Sequence, residues 1–180
     1  MGGTLNTRQK ISAITVLLLV TIGIIMGLQS GPASPSQFYI NYSPMAKALL
    51  KDFSFTKYLG EYIGNNVGIF MVLFFLGSVF PPVIFDMLIY NFMAITRMAL
   101  YLGANTTIYV LCMHGIYELA SILMVSWCSL SLFILMIQEL IHKGKYVADF
   151  GLEAKVLAIS LGTLIGAAFI EGWVTPLLWR

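Results

Sequence analysis

Blocks of apolar residues long enough to cross a bilayer fill most of this chain. They cover Ile11–Leu28 and about 63–80, 83–102, 106–141 and 156–173. The apolar residues fill whole blocks rather than a stripe repeating every 3.6 residues, so the helices they form are apolar all round and have lipid as solvent. A span needs about 20 such residues. Four to six spans use most of the 180 residues and leave no room for a separate soluble domain. Only 10% of the residues are charged and 59% are hydrophobic, whereas soluble domains carry about 25% charged residues. The fold class is therefore all-α, a polytopic transmembrane helix bundle forming one domain over residues 1–180.

The segments between the blocks set the element boundaries. Ile11–Leu28 exceeds the core of a cleaved signal peptide, about 7–15 residues, and is followed by the poor cleavage site Gln29-Ser30-Gly31-Pro32-Ala33, so it reads as an uncleaved first span. Residues 29–43 are rich in Ser, Pro and Gly and read as a loop. Ser43-Pro44 is an N-cap with proline at the first helical position. The helix over 44–60 mixes Lys47, Lys51, Asp52 and Lys57 with Leu49, Leu50, Phe53, Phe55 and Tyr58. It is too polar to cross, and it reads either as an amphipathic helix in the interface plane or as a short solvated helix packed on the spans. Pro81-Pro82 and Gly103-Ala104-Asn105 form the next two connections.

From Thr106 to Ile141 the chain stays apolar. A straight helix of that length would measure roughly 50 Å, against about 30 Å of hydrocarbon. A bend is expected at the most polar stretch, Ser126-Trp127-Cys128-Ser129, making the block either a hairpin or one span with an interfacial leg. The polar segment His142–Lys155 follows, and the last span ends at Pro176.

Basic residues near span ends orient the chain. Arg8 and Lys10 place the N-terminus in the cytoplasm, and Lys143, Lys145 and Lys155 favour the same side. That requires five spans, with 106–141 crossing once; a hairpin there gives six. Lys47, Lys51 and Lys57 fall outside in either arrangement, against the rule, as Arg180 does with five spans.

Several polar residues lie inside the apolar blocks, where a charge costs roughly 2.5–3.5 kcal/mol on the mildest scale. His114 and Glu118 are one turn apart on one helix face, with Gly115 between them allowing close approach of a neighbouring helix. They serve either as glue between helices or as a proton or ligand relay. Asp86 and Arg97 share a side of their helix but lie about 16 Å apart along its axis, too far to pair. Arg97 is expected to pair with Glu171. Asn65, Asn66 and Asn91 complete the intramembrane polar set.

The motifs of common catalytic classes are absent. There is no HExxH, GxSxG or P-loop, and no two closely spaced carboxylates on one face. The expectation is a protein that is not an enzyme, with no catalytic, cofactor-binding or metal-binding residues. Cys112 and Cys128 lack both CxxC spacing and nearby histidine ligands, and read as small buried apolar residues. A net charge of +2 with no Lys/Arg run gives no basis for nucleic-acid binding.

Three pieces in order, Asn65-Asn66-Val67, His114-Gly115-Ile116-Tyr117-Glu118 and Ile170-Glu171-Gly172-Trp173-Val174-Thr175-Pro176, together resemble the stage II sporulation protein M family. Asn91 falls where that family tends to have Asn-Gly, but Phe92 follows it here. The resemblance implies a small polytopic protein of a bacterial or archaeal cell membrane, without enzymatic activity. It implies partners besides the lipid bilayer: peptidoglycan-remodelling enzymes held by a membrane scaffold, or components of an ABC-type exporter or immunity system. The alternative is a transporter using the His114/Glu118 relay. Its short chain shows no repeat, which homo-oligomerisation would repair.

Overall fold

The computed structural model describes residues 5–33, 55–103, 115–142 and 150–178; the side chains of 55–59, 61, 62, 65, 142 and 171–178 lie outside that description. Every element among the described residues is helical: α1 (Thr7–Ser30), α2 (Phe55–Met71, continued by a π-helical turn over Val72–Leu76), α3 (Pro82–Leu102), α4 (Ile116–His142) and α5 (Gly151–Leu178).

The helix ends follow local chemistry. Asn6 opens α1 with a capping box: its side chain accepts from the Gln9 N–H at 2.9 Å, and Gln9 Oε1 accepts from the Asn6 N–H at 3.0 Å. Gly31 ends the helix at φ +72°, a conformation that favours glycine. Pro82 starts α3 within its first turn, and Gly103 at φ +83° closes it, its N–H donating to the Ala99 carbonyl at 3.0 Å.

Four of these helices are long and apolar enough to cross a membrane: α1, α3, α4 over Ile116–Ile141 and α5 over Gly151–Ile170. The expected second span, about 63–80, is where the difference lies. Its apolar portion, Asn66–Leu76, is shorter, because α2 begins in the polar stretch at Phe55 and ends in the π turn. Residues 55–60, assigned from sequence to a separate interfacial helix, are the first turns of α2. The rest of that expected helix lies outside the described residues.

Two further sequence expectations are corrected. The chain does not bend at Ser126–Ser129; α4 runs unbroken through it. The serines here are not turn signals. Ser129 Oγ donates to the Val125 carbonyl at 2.8 Å, and Ser126 and Ser129 are both buried against neighbouring helices. The helix that carries the last span starts earlier and ends later than the expected span, while its stretch apolar enough to cross is Gly151–Ile170. Residues 151–155 form the first turns of α5, and the helix continues through Pro176 to Leu178.

The bundle is organised around α4. It packs on α1, on α5 and on the π turn, and more lightly on α2 and α3. Helix α1 also packs on α3, and α5 on α2. One apolar core results, drawn from all five helices: Val16 and Leu19, Phe70 and Leu73, Ile84 and Leu88, Ile122 and Val125, and Leu164.

The α1–α3 contact is parallel and close. A Cβ on Gly23 would lie 2.7 Å from the Ile89 carbonyl oxygen and 2.9 Å from Phe92 Cβ; one on Gly27 would lie 2.6 Å from Thr96 Cβ. These glycines, four residues apart, let the two backbones touch, as small residues do in membrane helix pairs.

Candidate functional site

A cluster of buried polar groups gathers where α1 and α5 begin. Glu153 Oε1 accepts three hydrogen bonds: from Arg8 Nη2 at 2.7 Å, from Gln9 Nε2 at 3.1 Å and from Ser131 Oγ at 2.7 Å. The Arg8 and Glu153 side chains are 7% and 1% exposed, so this is a buried ion pair. Its second oxygen, Oε2, has no hydrogen-bond partner among the described residues. Trp127 Nε1 donates to the Gln9 carbonyl at 2.9 Å, and Cys128 Sγ lies 3.6 Å from the Glu153 carbonyl oxygen. Three helices are thus tied at one point. A buried pair holds only if hydrogen bonds satisfy its remaining groups, and here Gln9 and Ser131 share the carboxylate with Arg8.

Sequence reasoning missed this cluster. It took Arg8 as an orientation marker and Glu153 as part of a polar loop. A signal was nevertheless present. Arg8, Ser12, Val16, Leu19, Gly23 and Gly27 recur at spacings of four and three, and all are buried on one face of α1. Small and hydroxylated residues at those intervals mark a packed face, and Arg8 continues it.

About two helical turns further along α5, helices α4 and α5 are joined again. Ser121 Oγ donates to the Ser160 carbonyl at 2.9 Å, Ser160 Oγ donates to the Ser121 carbonyl at 2.9 Å, and the two hydroxyl oxygens are 2.8 Å apart. The exchange is reciprocal and fully buried. Such bonds between membrane helices are worth about 0.6 kcal/mol on average, and up to about 1.7.

The residues singled out from sequence disperse over the bundle. Asn66 and Glu118 come together, with Asn66 Nδ2 donating to Glu118 Oε1 at 2.7 Å; Asn66 is buried and Glu118 half-buried. Asn91 turns back on its own helix, donating to the Met87 carbonyl at 2.7 Å. Arg97 Nε donates to the Gly31 carbonyl at 3.3 Å, joining the ends of α1 and α3. Asp86 is exposed on α3. His114 and the side chains of Asn65 and Glu171 lie outside the described residues, and with them the expected His114–Glu118 face and Arg97–Glu171 pair. Among the described residues no three His, Cys, Asp or Glu side chains group as metal ligands.

What this arrangement does chemically is hold helices together. The Arg8–Glu153 cluster, the Ser121–Ser160 exchange and the Asn66–Glu118 bond each join two or three helices by bonds that lipid cannot supply. The same chain, from residue 12 to residue 176, matches the family model described as stage II sporulation protein M. The chain belongs to that family. No curated protein and no solved structure matches it. In this family member the element linking Asn66 to Glu118 spans two of the three pieces that carried the resemblance, and the geometry joins them directly.

Proposed function

We propose that this stage II sporulation protein M family member is a non-catalytic, multi-pass subunit of a bacterial or archaeal cell membrane. It scaffolds or assists partner membrane proteins, either cell-wall remodelling enzymes or an ABC-type exporter or immunity system. One observation carries the reading. Three pairs of polar side chains in the bundle bond between helices: Arg8 with Glu153, Ser121 with Ser160 and Asn66 with Glu118. Such bonds fix a rigid frame and leave the outer faces to meet other proteins.

The experiment is photo-crosslinking in native membranes from exposed positions on different helices, such as Phe75 and Phe169. Crosslinks to other membrane proteins, reproducible and position-specific, are expected. Crosslinks to lipid alone from every position would overturn the reading.

A second reading is favoured by the Asn66–Glu118 bond, which holds a carboxylate inside the bundle. In it the protein is a transporter, with Asn66 orienting Glu118 in a relay with His114. Glu118→Gln separates the two, since it keeps the shape and removes the titration. Normal function of that variant across pH rejects the relay.

The orientation that goes with the proposal puts the N-terminus in the cytoplasm. With Arg8 paired to Glu153, exposed Lys10 is a cation at the start of α1 that supports it. A cysteine at position 10, in a chain lacking Cys112 and Cys128, should resist an impermeant thiol reagent in intact cells. Rapid labelling there would reverse the orientation.

A further inference from the structure

We infer that the bundle moves as two rigid halves, α1 with α3 and α2 with α4 and α5, and that the Arg8–Glu153 cluster is the latch that closes one half on the other. The inference goes beyond the partner-binding reading and holds whichever partner the outer faces meet. With the cluster made, the halves form the one frame described above.

The packing divides in this way. Helix α1 packs most closely on α3, where Gly23 and Gly27 bring the two backbones together. Helix α5 packs on α4 and α2, and the π turn packs on α4. Across the divide α1 packs on α4, while α3 meets α4 and the π turn only lightly. Helices α2 and α3 follow one another in the chain, yet they part directly after the short connection over 77–81.

The polar bonds divide in the same way. Asn66 with Glu118 joins α2 to α4, and Ser121 with Ser160 joins α4 to α5, so both lie inside one half. Arg97 Nε donates to the Gly31 carbonyl and the Ala33 N–H to the Arg97 carbonyl, each at 3.3 Å, inside the other half. The described bonds from half to half gather at one end. They are Arg8 Nη2 and Gln9 Nε2 to Glu153 Oε1, and Trp127 Nε1 to the Gln9 carbonyl.

Further along the seam the core is apolar, with Val16 and Leu19 of α1 sharing it with Ile122 and Val125 of α4. In lipid such surface gives little preference for one partner over another, so the cluster decides whether the seam stays closed. The closed state also carries a cost. Glu153 Oε2 is buried without a hydrogen-bond partner among the described residues, and a buried charged acceptor left unsatisfied opposes burial. The chain supplies a pivot where α2 gives way to α3. A π turn is followed by Gly77 and Pro81-Pro82, with Val79 and Phe80 exposed between them. Hinges are a few residues of this kind at the ends of elements.

The test is double electron–electron resonance on the full chain in liposomes. Cys112 and Cys128 are replaced by alanine, and spin labels stand at exposed positions. One pair reads across the halves, Tyr90 on α3 with Ile159 on α5. Two pairs read within them, Leu18 on α1 with Tyr90, and Met136 on α4 with Ile159. Glu153→Gln keeps the shape and removes the charge that holds Arg8. It should shift or broaden the 90–159 distances by several ångström and leave the other two pairs as in the parent. Arg8→Gln should do the same. Ser121→Ala, whose bond lies inside one half, should not. Unchanged 90–159 distances in both charge variants overturn the latch. Equal broadening of all three pairs overturns the division into halves. A shift with Ser121→Ala as large as that with Glu153→Gln shows that the cluster holds no special place. If neither charge variant folds, the pair is a requirement of folding and the latch falls as well.

Discussion

Replacing Glu153 with leucine removes one acceptor oxygen that three donors share. Arg8 Nη2, Gln9 Nε2 and Ser131 Oγ all lose their bond to it, and Arg8 is left as a buried cation. Breaking a buried pair by removing one partner costs about 3–5 kcal/mol. Two further donors lose a charged acceptor, and each such bond is worth roughly 1.5–3 kcal/mol. The terms overlap, since the three bonds form one network, so the expected loss is about 4–6 kcal/mol rather than the sum. Removing both charges as Arg8→Met with Glu153→Leu leaves apolar groups of similar size and only the Gln9 and Ser131 donors to re-pair. That double variant should recover about 2–3 kcal/mol relative to Glu153→Leu alone. Ser131→Ala, which deletes one bond and leaves the ion pair, should cost about 1.5–3 kcal/mol. The assay is denaturation of purified protein in mild detergent, followed by tryptophan fluorescence. Trp127 reports locally because its indole N–H is bonded to the Gln9 carbonyl. If the double variant is no more stable than Glu153→Leu, the two side chains do not act as a pair. If Ser131→Ala equals Glu153→Leu, the damage comes from packing on α4 rather than from the carboxylate.

Three other outcomes follow from the geometry. Gly27→Leu should drive α1 from α3 and lower the yield of monodisperse protein, because even a Cβ there lies 2.6 Å from Thr96 Cβ; Gly162→Leu on α5, where a Cβ meets nothing within 4 Å, should leave the purified chain unaffected, as gel filtration will show. Ser121→Ala and Ser160→Ala should each cost about 0.6–1.7 kcal/mol and roughly add when combined, since each hydroxyl donates to the other residue's backbone carbonyl, which alanine keeps; a double variant no less stable than either single in a thermal melt would contradict two separate bonds. Asn66→Leu should leave the Glu118 carboxylate without its described donor and destabilise the bundle by about 1–3 kcal/mol, whereas Asn66→Leu with Glu118→Leu should restore much of it; an infrared carboxylate band unchanged by Asn66→Leu would argue against the bond.

The residues differ in how much of their role was legible beforehand. Asn66 and Glu118 were both singled out as intramembrane polar groups, and they bond to each other. Arg97 was legible as a charge that needs a partner, but its bond to the Gly31 carbonyl was not, because a backbone acceptor at a helix end leaves no mark in composition. Arg8 and Glu153 flank apolar runs, where charged residues ordinarily stand in headgroup water, so each looked like a solvated end.

Taken alone, the sequence determined the solvent and the secondary structure. Hydropathy and the punctuation by Pro81-Pro82 and Gly103 are local quantities, and they marked a helical membrane protein whose first and third spans lie within a few residues of α1 and α3. The tertiary structure alone decided how those helices meet. It joined Arg8 to Glu153 across 145 residues of chain, set Gly23 and Gly27 against the α3 backbone, and kept α4 helical through Ser126–Ser129. The physical reason is the same in each case. In lipid, apolar surface gives little preference among helix partners, so the arrangement depends on close backbone approach and on which polar groups find one another. Those are properties of pairs distant in sequence. Ser131, one more serine in an apolar run, becomes a fastening once a neighbouring helix supplies its acceptor.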